Sequence, residues 1–235
     1  MPASRWNLAV AASAVIVALL ALALGIGWLA SMNSRTTTYS FGIPLNSVDV
    51  RLSSGTAVII GTGSAMIRVR RTDHYAFGHS TRERRSLQNG TLRLTSSCPR
   101  IVVGSCSASY EIAVPETVKV NVQTTTGDVR LSGFRGSAAV QTRSGNVNVE
   151  AYCGFDLSAT SRSGDVRVAA ACAPQHLSLK TRSGDATAQV PPGRYRVSTS
   201  AGGTEHVTGV IRDRNAPFTI DAHSASGNVA VGGGL

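Results

Sequence analysis

The chain has 235 residues, a formal charge of +10 and only 5% aromatic residues, a length that fits one all-β domain or two small β units sharing a core once an apolar N-terminal segment is set aside. Frequent Val, Thr, Ser and Gly argue against a disordered body, and the arginine excess attracts anionic partners without naming them. The few aromatics argue against surfaces that bind sugars or bases by stacking.

Residues 1–7 are polar, carry Arg5 and read as a cytoplasmic tail. Leu8 to Ala30 then runs 23 residues without a charge, and at ~1.5 Å per residue a helix of that length crosses a ~30 Å hydrocarbon core. A cleaved signal peptide is the alternative, but its apolar region is usually only ~7–15 residues long. The expectation for residues 8–30 is a retained single-pass transmembrane helix with Trp28 near the interface, a cytoplasmic N-terminus and an extracytoplasmic body in the cell membrane. Arg35 beyond the span leaves the charge bias across it nearly even. Residues 31–40 read as a polar linker.

From residue 41 to 117 apolar alternation returns. Val48 and Val50 stand at −7 and −5 from Gly55, with Ala57 and Ile59 at +2 and +4. Further alternation at Leu92/Leu94 and around Tyr110–Val114 completes a region expected to be an irregular β cap over the end of the repeats. Residues 73–85, with His74, His79 and several arginines, read as a long basic loop.

Residues 118–235 are those repeats. Thr124-Thr-Thr-Gly127-Asp, Gln141-Thr-Arg-Ser-Gly145-Asn, Thr160-Ser-Arg-Ser-Gly164-Asp, Lys180-Thr-Arg-Ser-Gly184-Asp and Ser224-Ala-Ser-Gly227-Asn share one pattern, with a degenerate copy at Gly202. Successive glycines lie 18, 19, 20, 18 and 25 residues apart. Positions −7 and −5 are apolar (Val120/Val122, Ala138/Val140, Leu157/Ala159, Leu177/Leu179, Tyr195/Val197, Ile220/Ala222), as are +2 and +4 in most copies, with polar residues between. Period-two alternation on both sides of a glycine predicts strand, turn, strand. Length variation confined to the joining loops is what stacked repeats allow. The fold class expected is all-β: a small β-solenoid with two strands per coil of about 18–20 residues, a β cap, and one N-terminal helix. Each corner glycine supplies φ > 0, and the Asp or Asn after it can bond the turn backbone. A ladder of antiparallel hairpins fits the same alternation.

The cysteines separate the two architectures. Cys153 and Cys172 both lie at +8 from their glycines. In a solenoid they fall on neighbouring coils, ~4.8 Å apart and within disulfide range; in a hairpin ladder equivalent positions are ~9.6 Å apart. Cys98 and Cys106 would close a short local loop.

The Thr-Arg-Ser-Gly-Asp-Val-x-Val run, with Cys98 and Cys106 followed by Tyr110 and Val114-Pro115, and the single anchor resemble the bacterial adhesin-type family of β-strand-repeat, membrane-anchored surface proteins. The resemblance is clearest over residues 98–190. It implies a cell-surface β-solenoid and supplies no catalytic residues.

Chemistry-bearing motifs are scarce. His74, His79, His176, His206 and His223 have no metal-ligand spacing. Gly61-Thr-Gly-Ser64 lacks the lysine of a phosphate loop. The outward strand positions that would carry a glycosidase's carboxylate pair hold Arg130, Asn148, Arg167, Thr187 and Gln123, Gln141, Thr160, Lys180 instead. No cofactor, metal, nucleic acid or enzymatic activity is expected. Arg143, Arg162 and Arg182, each at −2 from its glycine, would form a column along one edge, with Arg130, Arg167 and Lys180 on neighbouring faces. Either each arginine pairs with a corner aspartate, or the column holds a repeating polyanion. The function expected is a non-enzymatic, adhesin-like surface scaffold that engages a cell-envelope polymer or a membrane protein. The alternative is an accessory of a membrane regulatory system, acting through the anchor helix.

Overall fold

The computed structural model describes residues 14–26, 33–42, 45–75, 80–100 and 106–234. Residues 14–26 are helical and exposed throughout. At ~1.5 Å per residue such a helix reaches ~20 Å, short of a ~30 Å hydrocarbon core. Among the described residues no helix is long and apolar enough to cross a membrane. The span expected over residues 8–30 is therefore not found as one helix, and its two ends lie outside the described residues.

Every described residue after the helix lies in a strand or in the turns and short connections between strands. The first seven strands are β1 (Asn33–Phe41), β2 (Ser47–Ser54), β3 (Ala57–Thr62), β4 (Ile67–Tyr75), β5 (Arg82–Gln88), β6 (Thr91–Ser97) and β7 (Cys106–Pro115). The regular repeats come next as β8 (Lys119–Thr126), β9 (Val129–Ser132), β10 (Ala138–Ser144), β11 (Val147–Tyr152), β12 (Asp156–Ser163), β13 (Val166–Ala170), β14 (His176–Ser183) and β15 (Ala186–Val190). The chain closes with β16 (Arg194–Ala201), β17 (Glu205–Thr208), β18 (Ile211–Arg212), β19 (Thr219–Ser224) and β20 (Val229–Gly233).

Two ten-stranded sheets result, one ordered β1-β4-β7-β3-β9-β11-β13-β15-β20-β17 and the other β18-β16-β19-β14-β12-β10-β8-β2-β6-β5. Each coil gives one strand to each sheet, and neighbouring coils pair in parallel, which excludes the hairpin ladder. Equivalent residues stack in register: Val122 on Val140, Val140 on Ala159, Ala159 on Leu179 and Leu179 on Ala222. All five are buried. The alternation read from the sequence thus becomes a thin aliphatic core, with every second residue facing water.

Sequence order and stacking order part company at both ends. The coil β2–β3 lies between β6–β7 and β8–β9, and the last coil, β19–β20, is inserted between β14–β15 and β16–β17. The early repeat at Gly55 is therefore an interior coil, with Val48 on Val120 and Ala57 on Val129. Leu92 and Leu94 stack on Val48 and Val50, and Tyr110 and Ile112 on Ala57 and Ile59, so β6–β7 is a further coil whose corner is lengthened. The layer that closes this end is antiparallel: β4 on β7, β1 on β4, and β5 on β6.

Several expectations change as a result. The polar segment read as a linker carries β1 from Asn33; it looked structureless because an edge strand exposed on nearly all its residues needs no apolar alternation. Residues 73–85 are not one long loop, since β4 runs to Tyr75 and β5 starts at Arg82. Around Gly202 the register moves: Val197 and Thr199 stand opposite Ile220 and Ala222, Gly203 donates to the Gly227 carbonyl at 2.9 Å, and Thr204 takes the corner position. Tyr195 lies before the ladder and covers the core end at 1% exposure. The valine two residues after the corner is replaced by Glu205, which stands opposite Val229, while Val207 stands on Val231 and packs against the core; β17 is the outermost strand, and Glu205 is exposed there.

Both disulfides are present. Cys153 and Cys172 join neighbouring coils with Cα atoms 4.6 Å apart, and Cys98–Cys106, at 5.8 Å, clamps the lengthened corner of β6–β7.

Candidate functional site

The repeat corners position the site. Gly127, Gly145, Gly164 and Gly184 have φ of 130°, 144°, 140° and 139°, and a Cβ on any of them would fall on the carbonyl of the corner glycine one coil back. Gly227 meets the Gly184 carbonyl in the same way. The corner Asp and Asn side chains form a second ladder. Asp128 Oδ1 accepts the Asn146 N–H at 2.8 Å, Asn146 Oδ1 the Asp165 N–H at 2.9 Å, Asp165 Oδ1 the Asp185 N–H at 2.9 Å, and Asp185 Oδ1 the Asn228 N–H at 2.8 Å. A third row, at −3, does not stand out in the sequence. Thr142, Ser161, Thr181 and Ser224 are buried and donate to the corner glycine carbonyls of the preceding coil, at 3.3, 2.9, 2.9 and 2.7 Å. The signal was there, as a hydroxyl residue three before each glycine on an inward position.

These ladders turn one oxygen of each corner carboxylate to backbone of the next coil, and the arginines between the corners do not reach the carboxylates. Arg143, Arg162 and Arg182 are exposed, and among the described residues none forms an ion pair. The pairing of each arginine with a corner aspartate is thus not formed. Asp165 turns one oxygen to backbone and the other to Arg167 of its own coil, at 2.7 Å. Arg130 and Arg167 belong to β9 and β13, in the opposite sheet, and do not join the column.

Instead, the three arginines line a groove of about 850 Å³ on the outer face of the sheet that contains β8, β10, β12 and β14. Two rows of outward side chains form its floor. At −4 the register runs Arg51, Gln123, Gln141, Thr160, Lys180, His223; at −2 it runs Ser53, Thr125, Arg143, Arg162, Arg182, Ala225. No carboxylate lines the groove. Arg51, at one end, is held by Asp49 at 3.3 Å, and Asp49 also takes Arg93 at 3.1 Å. The middle and far end therefore present Arg143, Arg162, Lys180 and Arg182 unneutralised. The arrangement can hold anions through planar guanidinium forks and an ammonium, with no acid or base partnership for group transfer.

Elsewhere, the described residues contain no group of three His, Cys, Asp or Glu placed to share a metal ion. A buried ionic cluster lies at the antiparallel end: Arg71 bridges Asp73 at 2.7 Å and Glu83 at 3.0 Å, and Arg85 reaches Glu83 at 3.2 Å while stacking 4.0 Å from the Tyr39 ring centre. Burial, with the Tyr39–Glu83 hydrogen bond, pushes the Tyr39 phenol well above its ordinary range. This cluster ties β1, β4 and β5 together, with Glu83 bonded through both oxygens and Asp73 through Oδ1.

Stacked parallel coils with glycine corners are shared with known proteins. The sequence pattern of the Toastrack DUF4097 family matches residues 37–232. The chain belongs to that family. Among solved structures, the Toastrack fold here is similar to a candidate cell adhesion protein from Clostridium sporogenes, at 11% identity and a TM-score of 0.52, covering 86% of this chain and 100% of that one. A candidate adhesin from Bacteroides fragilis aligns at 13% identity and a TM-score of 0.49, covering 84% and 97%. At these identities the likeness is one of fold. No curated protein matches the chain. The expectation of a β-strand-repeat solenoid family agrees with the Toastrack membership and with the coil geometry.

Proposed function

We propose that this Toastrack protein is a non-enzymatic, membrane-anchored, extracytoplasmic scaffold whose groove holds an anionic polymer of the cell envelope. The observation that carries this reading is the row Arg143, Arg162, Arg182 beside Lys180, in a trough that no carboxylate lines. Excess positive charge repeated on three consecutive coils suits a ligand that repeats too, and a rigid stack fixes the spacing. Support for the anchor comes from residues 14–26, where Val15, Ile16, Val17, Leu19, Leu20, Leu22, Leu24 and Ile26 are at least half exposed, a large apolar surface that lipid would cover. The adhesion names borne by structures of the same fold agree with a surface role.

The test is retention of the purified full-length chain, in neutral detergent, on immobilised anionic envelope polymer, compared with the R143S/R162S/R182S variant. The parent is expected to be held at low salt and released as ionic strength rises, while the folded variant passes through. Equal retention of parent and variant, or no retention of the parent at low salt, overturns the reading.

A further inference from the structure

The floor of the groove holds more than charge. Resting on the polyanion reading, we infer that the polymer is an acidic polysaccharide carrying a carboxylate on each sugar, laid along the stacking axis with about one sugar per coil.

Four observations converge on this class. First, the cations recur on consecutive coils, so neighbouring arginines are separated by the coil rise of about 4.8 Å, close to the advance of one sugar in an extended 1,4-linked polyuronate. Second, the −4 row alongside carries Gln123, Gln141 and Thr160 on consecutive coils. None of these side chains hydrogen-bonds another described residue, and amides and hydroxyls offer both donors and acceptors to sugar hydroxyls. A phosphate chain, which accepts but does not donate, matches only the donors of that row and leaves its amide oxygens unused. An uronate presents a carboxylate on one edge of each ring and hydroxyls on the others, which matches a guanidinium row next to an amide and hydroxyl row. Third, no aromatic residue lines the groove, so a neutral glycan lacks a stacking platform and the carboxylates must supply the attraction. Fourth, the surface is a trough, and none of the exposed large apolar side chains lies in it, which is unlike a face that settles on lipid.

The groove runs from Thr95 of β6 through β2, β8, β10, β12 and β14 to His223 of β19. These six coil steps amount to ~29 Å at ~4.8 Å each. The three arginines cover consecutive coils, so a trimer is the shortest oligosaccharide that meets all of them, and affinity should level off near six or seven sugars.

The experiment uses the full-length chain in neutral detergent and labelled hexagalacturonate, with galacturonate oligomers of increasing length, inorganic polyphosphate, dextran and phosphatidylglycerol-doped micelles as competitors. Displacement is expected to strengthen at least tenfold from monomer to trimer and to flatten by the heptamer. Dextran should not compete. Q123A/Q141A should weaken hexagalacturonate binding several-fold and polyphosphate binding by clearly less. If polyphosphate or the doped micelles bind through the arginines and hexagalacturonate does not, or if Q123A/Q141A changes nothing, the polysaccharide assignment falls and the polyanion reading stands. If no anion binds and R143S/R162S/R182S matches the parent throughout, both fall together.

Discussion

Gly145 shows how little freedom a corner has. Its φ of 144° is one that side chains rarely adopt, and a Cβ there would overlap the Gly127 carbonyl oxygen. Relief requires moving one coil away from the next, which disturbs a ladder that is bonded on both sides. Gly145→Ala should therefore lower unfolding stability by about 2 kcal/mol. Gly63→Ala, at an exposed turn with nothing within 4 Å, should leave it nearly unchanged. Denaturant titration of the two variants checks this, and equal midpoints would contradict it. At this scale the sequence was generous where a residue type has one purpose: corner glycines, and the Asp or Asn after most of them, recur because they suit the turn. It spoke faintly about Thr142, Ser161 and Thr181: a hydroxyl recurs three before the corner glycines, but threonine and serine at alternate strand positions are ordinary β residues and do not by themselves reveal a buried hydroxyl bonded to the neighbouring coil.

Elements are where reading by repeat falls short. Repeats in sequence order imply coils in stacking order, and that holds from β8 to β15 because each apolar pair meets an equivalent pair next to it. At the ends it fails. The weakest copy, around Gly202, has Glu205 where the Gly227 copy has Val229 and so belongs outermost, while the well-formed copy at Gly227 fits the interior position beside β14–β15. Had the missing valine been taken as a sign of exposure, the exchange could have been inferred. Ending the chain at residue 217 removes β19 and β20 and leaves β17 with no ladder partner and β16 with only β18. Hydrogen exchange should then show β16 and β17 unprotected while β12 and β13 stay slow. Retained protection in β16 would mean that it slides down onto β14, and that the inserted coil is dispensable. The Cys153–Cys172 bond closes a separation of 19 residues across two coils, for which loop-closure entropy suggests about 3 kcal/mol. Cys153→Ser/Cys172→Ser should lower the unfolding midpoint accordingly and keep the strand content. That pairing was legible because the two cysteines share a repeat position.

For the molecule as a whole, one thin core runs through every coil and is closed at its ends by tyrosines. Burial pushes the phenols of Tyr110, Tyr152 and Tyr195 upward, and burial with the Glu83 contact does the same for Tyr39. A phenol held above its unfolded value near 10 adds stability that is complete below that pH and is lost as pH climbs beyond it. Unfolding midpoints should thus be flat in mildly alkaline buffer and fall above about pH 10, with ionisation of these phenols, followed by ultraviolet absorbance, coinciding with loss of structure. Free titration in a still-folded chain would contradict it. The net charge of +10 was visible from composition, and the column Arg143, Arg162, Arg182 from spacing. Its lack of partners was not, because it depends on the corner aspartates turning to backbone amides of the next coil. Whether that unpaired column is the binding surface is tested most directly by arginine-selective chemical modification of the full-length chain with and without polygalacturonate, mapped by peptide mass. Arg143, Arg162 and Arg182 are expected to become protected, while Arg130 on the opposite sheet and Arg135 at the far corner react as before. Uniform protection of all five, or protection of Arg130 with the groove arginines still reactive, would contradict it.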